Sequence, residues 1–210
     1  MRLLNCEIIF RGNSKTRKIA FTFDDGPHPE NTPLLLDCIE ASGGRGTFFS
    51  TGANITKYHT LSKELVKRGH LLANHTFNHP NALFVSRKKL HDEILRTKDL
   101  IENLSGITNR YFRPPFGIVT PALLSICRCL DLSIILWNRN SYDFRRLPYQ
   151  RIVKRIMGRI KEGSIILFHE CHYKKHELDY SQSIYALKKI IEHSVQQKLK
   201  PVTIEEMVTG

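Results

Sequence analysis

Thr22-Phe23-Asp24-Asp25-Gly26-Pro27 and His75-Thr76-Phe77-Asn78-His79 hold the residue types most able to do chemistry in this chain. Adjacent carboxylates repel, so both stay ionised only beside something positive, and a divalent metal with neutral imidazole ligands is the simplest candidate. One aspartate and two histidines fill three coordination positions and leave one open. At a zinc ion that position holds water whose pKa falls from about 16 to about 7, and the spare aspartate can take its proton. Each string alone has a plainer reading: a strand-end turn for Asp-Asp-Gly-Pro, and two histidines on one helical face for His-x-x-x-His. Together they form the inventory of a metal-dependent hydrolase.

Apolar patterning predicts strands at 18–23, 46–50, 70–73, 110–113, 133–137, 164–168 and 201–203. Helical periodicity predicts helices at 32–42, 61–68, 86–104, 120–129, 148–161 and 181–198. Strict alternation of the two argues for an α/β fold whose strands are parallel, and about seven units fit a deformed (β/α) barrel better than an open sheet. Nearly every polar string starts where a strand ends. In such barrels those ends share one face, so residues distant in sequence converge on one site.

With 210 residues, of which 41% are hydrophobic and 25% charged, the chain reads as a single domain over 1–210. Its first seven residues are interrupted by polar side chains before a signal peptide can build, and no run approaches the roughly 18 apolar residues of a membrane span. A cytoplasmic location is the expectation, or an extracytoplasmic one if the chain is trimmed. The five cysteines match no zinc-ribbon spacing and are expected to be reduced thiols. Net charge is +12, which favours contact with an anionic membrane surface or acidic polymer. No nucleic-acid motif accompanies that charge, and aromatics are not interleaved with basic residues, so nucleic acid is not an expected partner. The densest basic stretch, 145–161, sets Ile152, Ile156 and Ile160 on one stripe; an outer helix packed by that stripe is favoured over one lying in lipid.

Five strings in this order (Asp24-Asp25, His75 to His79, Arg113-Pro114-Pro115-Phe116-Gly117, Trp137 to Phe144, and Ile166-Leu167-Phe168-His169) resemble the polysaccharide deacetylase family, carbohydrate esterase family 4, which includes nodulation-type chitooligosaccharide deacetylases. The resemblance runs from about residue 18 to about residue 205. It implies removal of N-acetyl groups from N-acetylglucosamine-containing glycans, by a hydrolase using one divalent metal: zinc, with cobalt or nickel as alternatives. Position by position, Asp25, His75 and His79 resemble the metal ligands, Asp24 the general base and His169 the general acid. Asp143 resembles the acid's carboxylate partner, Arg113 the arginine bracing the base, and the Phe116 N–H an oxyanion donor. Trp137, Phe144 and Leu167 are expected to wall the pocket. Three positions depart from the family's usual pattern, Phe144 where tryptophan is common, Phe116 where tyrosine is, and Asn140 where aspartate often stands. They bear on substrate preference, since a phenyl ring still stacks on a sugar but lacks a donor.

Other readings are weaker. His169-Glu170-Cys171-His172 is not a His-Glu-x-x-His helix because position 173 is Tyr, and no Gly-x-Ser-x-Gly elbow is present. The remaining alternatives are a lipid-linked or nucleotide-linked saccharide substrate, suggested by the want of a signal peptide together with the basic helix, and a glycan-binding module without catalysis.

Overall fold

The computed structural model describes residues 6–209. The reading of the first seven residues rests mostly on 1–5, which lie outside the described residues. In chain order the strands are β1 (Ile8–Ile9), β2 (Lys18–Asp24), β3 (Thr47–Ser50), β4 (Leu71–Asn74), β5 (Tyr111–Phe112), β6 (Ser133–Ile135), β7 (Arg139–Asn140), β8 (Ile165–His169) and β9 (Lys200–Pro201). The helices are α1 (Asn31–Glu40), α2 (Gly52–Lys57), α3 (His59–Lys67), α4 (Arg87–Ser105), α5 (Pro121–Cys129), α6 (Tyr149–Met157), α7 (Ser181–Gln196) and α8 (Ile204–Thr209).

All strand pairs are parallel, in the order β1-β6-β5-β4-β3-β2-β8-β7, with β9 beside the start of β2. The path cannot be flat. From β6 to β7 it crosses seven strands, about 29 Å if laid out at ordinary strand spacing. Yet residues 136–138 alone join Ile135 to Arg139, a reach of at most about 14 Å. The nine-stranded sheet therefore curls into a deformed barrel, as the alternating pattern predicts for about seven of its strands; β1 lies on the outer edge of β6, and residues 136–138 carry the chain across to β7.

Period two sorts the side chains. Ile19, Phe21 and Phe23 of β2 face outward into a core with Leu35, Leu36, Ile156, Leu187 and Ile190 from α1, α6 and α7. There the Phe23 and Phe48 rings stack at 4.8 Å. Ala20, Phe49, Ala73, Tyr111, Ile135 and Ile165 face inward, closed off by Ile204 and Met207 of α8. Continuing the inward columns by two residues gives Thr22, Thr51, His75, Arg113, Trp137 and Leu167, and by four, along β2 and β8, gives Asp24 and His169. One end of the barrel interior is thus polar because the same parity that fills the core runs out into the strand ends.

Local signals set most helix limits. Ser86 accepts from the Lys89 N–H at the start of α4, and Gly106, at φ 70°, ends it. The helix predicted at 148–161 stops at Met157, beside Gly158. Its apolar stripe is spent on the core, with Ile152 and Ile156 each 1% exposed, as the outer-helix reading requires. β1, β7, α2 and α8 were not predicted: each is two to six residues long, too short to display a period. The strand predicted at 201–203 is only Lys200–Pro201. Among the described residues no helix is long and apolar enough to cross a membrane, and all five cysteines are free thiols.

Candidate metal and acid–base site

Consecutive strand residues point to opposite faces, so Asp24 and Asp25 can share a site only if the chain turns between them. It does: Asp25 sits at φ 73°, just beyond β2. Thr76, His79, Phe116 and Tyr142 also have φ between 56° and 65°. Positive φ costs energy in such residues; Asp25, His79 and Phe116 line one cleft, Thr76 follows its lining residue His75, and Tyr142 lies between its lining residues Asn140 and Phe144, whereas Asp131, Arg146 and Lys198 are not part of the lining.

Asp25 Oδ1 lies 3.5 Å from His75 Nε2 and 3.2 Å from His79 Nε2. The three donor atoms fall within 4.8 Å of one another, and all three residues are buried. Ligand atoms bound to one tetrahedral cation at about 2.0–2.2 Å sit about 3.3–3.6 Å apart, close to what is seen. Protonation states agree. Burial, above all, drives the imidazoles of His75 to about 3 and His79 to about 2, so both are neutral. His75 Nδ1 is 2.7 Å from the Arg113 carbonyl, which places its proton there and leaves the Nε2 lone pair free. Asp25 Oδ1, buried, has no hydrogen-bond partner, and burial pushes its carboxyl to about 7. An orphaned carboxylate oxygen facing two unprotonated imidazole nitrogens fits a divalent cation.

Asp24 flanks this triad, with Oδ2 3.9 Å from His75 Nε2. Its Oδ1 accepts from Arg113 Nη1 at 2.7 Å. Arg113 is fully buried and also donates to Thr22 Oγ1 at 2.8 Å, the Ile135 carbonyl at 3.1 Å and the Leu136 carbonyl at 3.2 Å. Its guanidinium lies 4.1 Å from the centre of the Phe49 ring. Burial raises Asp24 above the usual carboxylate range, against the pull of Arg113, His169 and His79.

His169 is the direct register partner of Asp24 across β2 and β8. Its Nδ1 is 2.8 Å from Asp143 Oδ1. The other oxygen, Asp143 Oδ2, accepts from the His169 N–H and from Ser183 Oγ, each at 2.8 Å. Burial alone would lower the His169 pKa, but the charge and hydrogen bond of Asp143, with Asp25 and Asp24 beyond, outweigh it and lift the pKa to about 9. Asp143 is held below its ordinary value: burial opposes its ionisation, and His169 and Ser183 overcome that.

The cleft holds about 450 Å³. Trp137 and Leu167 form its inner wall, while Phe116 (51% exposed) and Phe144 (41%) stand at the rim. Asn140 also lines it, but its Oδ1 accepts the Tyr142 N–H at 2.8 Å. The structure therefore brings every site residue expected from the sequence to one end of the barrel.

Sequence reasoning missed several neighbours. Tyr173 stacks on His79 at 4.2 Å, with Phe116 edge-on to the same imidazole at 4.8 Å. Glu170 is fully buried beneath the Asp-Asp-Gly turn, bonded to Thr32, and burial lifts it to about 8; a Cβ at Gly26 would lie 1.7 Å from its Oε1. Glu93 accepts the N–H groups of Phe77 (3.1 Å) and Asn78 (2.6 Å) and the Asn78 amide (2.8 Å), bracing the loop between the two histidines. Glu93 alone left a signal in the sequence. It shares the stripe of Leu90, Ile94, Thr97 and Ile101, a charged residue where a core-facing one belongs.

A family model for polysaccharide deacetylase matches residues 11–135. The chain belongs to the polysaccharide deacetylase family. That match includes Asp24, Asp25, His75, His79, Arg113 and Phe116. A peptidoglycan-N-acetylglucosamine deacetylase of Bacillus cereus is 31% identical over 160 residues, 76% of this chain and 58% of that protein, so the chain spans little more than half of that relative. A chitooligosaccharide deacetylase of Bradyrhizobium is 33% identical over 158 residues, covering 75% of this chain and 72% of that one. The crystal structure of a peptidoglycan N-acetylglucosamine deacetylase, in complex with a substituted N-oxidanyl-benzamide, matches with a TM-score of 0.91 at 28% identity, over 97% of this chain and 94% of the other.

Proposed function

We propose that this polysaccharide deacetylase family member is a metal-dependent hydrolase that removes acetyl groups from N-acetylglucosamine units of a poly- or oligosaccharide such as peptidoglycan or chitooligosaccharide. One observation carries the reading: Asp24, braced by a cation, and His169, braced by an anion, stand on neighbouring strand ends on either side of one ligand triad.

Asp25, His75 and His79 hold the metal, zinc for preference on this imidazole-rich set, with cobalt or nickel able to occupy it. When bound, a divalent cation supplies Lewis acidity to the acetamide carbonyl and lowers the pKa of attacking water. Asp24 takes the proton from that water, and Arg113 fixes its position. The Phe116 N–H, at the tip of a positive-φ turn, donates to the oxygen where negative charge develops. His169 gives its Nε2 proton to the departing amine, and Asp143 holds both its tautomer and its charge. Leu167 and Trp137 enclose the acetyl methyl, and Phe144 offers an apolar face to the sugar ring.

Metal analysis of the purified protein followed by an acetate-release screen over peptidoglycan, chitooligosaccharides and lipid-linked sugars tests the proposal. Acetate release that requires a stoichiometric divalent metal is the expected result. Full activity in an Asp24→Asn protein would refute the assignment of the base.

A further inference from the structure

Beside the active-site cleft lies a second concavity of about 510 Å³, bordered by Arg145, Arg151, Lys154, Arg155, Arg159 and Tyr142. All five basic residues are exposed. Among the described residues none has a carboxylate within 4.0 Å. Arg68, by contrast, is engaged by both Asp37 and Glu40. Arg151 and Arg155 are one helical turn, about 6 Å, apart on α6, and Arg159 follows in the turn just past its end. Like charges at that spacing destabilise a helix and gain nothing from one another. Arg155 lies 4.0 Å from the centre of the Tyr142 ring and Arg145 5.2 Å from it.

The groove is joined to the chemistry. The Tyr142 ring is 5.8 Å from Phe144, and Phe144 is 5.6 Å from the His169 imidazole. A glycan seated with its acetamide at the triad and continuing past Phe144 enters this groove. Guanidinium groups bind carboxylate and phosphate oxygens in pairs, and stacking on Tyr142 holds two of them in place. Two observations set aside a membrane surface. The site is concave, and α6 has no apolar face left to insert, because Ile152, Val153, Ile156, Met157 and Ile160 pack into the protein.

We propose that this groove is a subsite for an oxyanion, carboxylate or phosphate, carried by the substrate glycan beyond the sugar that is deacetylated. The inference rests on the deacetylase reading, and its test separates the two. With zinc-loaded protein, acetate release is compared between chitotetraose and the same tetramer carboxylated at its 6-positions. The expected preference in kcat/KM for the carboxylated tetramer is about tenfold or more at low salt. It falls toward one at high salt and in the Arg151→Gln/Arg155→Gln/Arg159→Gln protein. The ratio compares two substrates on one protein, so a partial loss of folded material cancels. The single variant Arg151→Gln, expected to lose part of the preference, serves if the triple variant does not fold.

Equal handling of the two tetramers by the unaltered protein overturns the proposal, as does a preference that survives the triple substitution. If neither tetramer is deacetylated, calorimetric binding of both to the zinc-loaded protein decides the groove independently: tighter, arginine-dependent binding of the carboxylated form supports it. Arginine-dependent sedimentation with phosphatidylglycerol vesicles, without discrimination between tetramers, would instead assign the surface to lipid and overturn the proposal.

Discussion

The two flanks of the ligand triad are built on the same plan with the signs reversed. On the β2 side, the Asp24 carboxylate is held by the buried Arg113, itself tied to two backbone carbonyls and the Thr22 hydroxyl. On the β8 side, the His169 imidazole is held by the buried Asp143, itself tied to the N–H groups of Phe144 and His169 and to the Ser183 hydroxyl. Burial favours the neutral form on both sides, but the outcomes differ. At Asp24 it exceeds the pull of the partner and leaves a carboxylate more basic than usual. At His169 the partner exceeds burial and keeps the proton in place up to about pH 9. In the proposed mechanism these two groups in adjacent strands take opposite tasks, one accepting a proton and one giving it.

The largest way to break this pairing is to remove what lies between. His75→Ala deletes a proposed ligand whose other nitrogen is anchored on the Arg113 carbonyl, and should reduce both bound metal and acetate release to background. Metal content measured by plasma emission on the same sample checks this, and a variant that keeps its metal would exclude His75 as a ligand. Next in size, Asp24→Asn should keep the shape and the metal but remove the proposed base, at a cost of about 10²–10⁴-fold in kcat. Retained metal with lost turnover separates this flank from the triad.

Breaking the other flank gives a smaller loss with a distinct signature. Asp143→Asn removes the interaction that lifts His169, so burial then dominates and its pKa falls. An acid must be protonated to act; activity in the unaltered protein therefore declines as pH rises through about 9, and in the variant the alkaline limb moves to lower pH. At the optimum the loss should be about 10- to 100-fold, the scale of an orienting partner. A pH profile of kcat/KM whose alkaline limb does not move would show that Asp143 does not set the acid.

These flanks were not equally legible in the sequence. Asp24, Asp25, His75 and His79 stand in two short strings whose residue types already imply a cation, and the strand–helix alternation puts them at strand ends. Arg113, Asp143 and His169 lie tens of residues apart and carry no such local sign; strand-end placement put their strings on one face, and only the likeness to a family gave each a role. The parts that stayed hidden are tertiary or too short to show a period. β7 is an Arg-Asn dipeptide with no apolar pattern, Tyr173 reaches His79 across 93 intervening positions of chain, and the positive φ at Asp25 exists to undo the alternation that a strand reading assumes. Helix α6 was readable from its stripe but not in its end, which Gly158 sets.

Glu93 offers the finest test, because it touches neither flank and no ligand. Its two oxygens receive three donors from Phe77 and Asn78, which fix the loop that carries His79 away from His75. Glu93→Gln replaces one acceptor by an NH2: facing the backbone N–H pair it sets donor against donor, and facing Asn78 it makes that amide turn its Oδ1 inward. The loop loosens without losing a ligand, and metal affinity should fall by less than the 10- to 100-fold typical of a group bonded directly to a ligand. The ordering is the point. Competition with a chelator should rank His75→Ala far below Glu93→Gln, with Asp143→Asn unchanged; a Glu93 variant that binds metal as tightly as the unaltered protein would mean that the strained turns at Thr76 and His79 hold the triad by themselves.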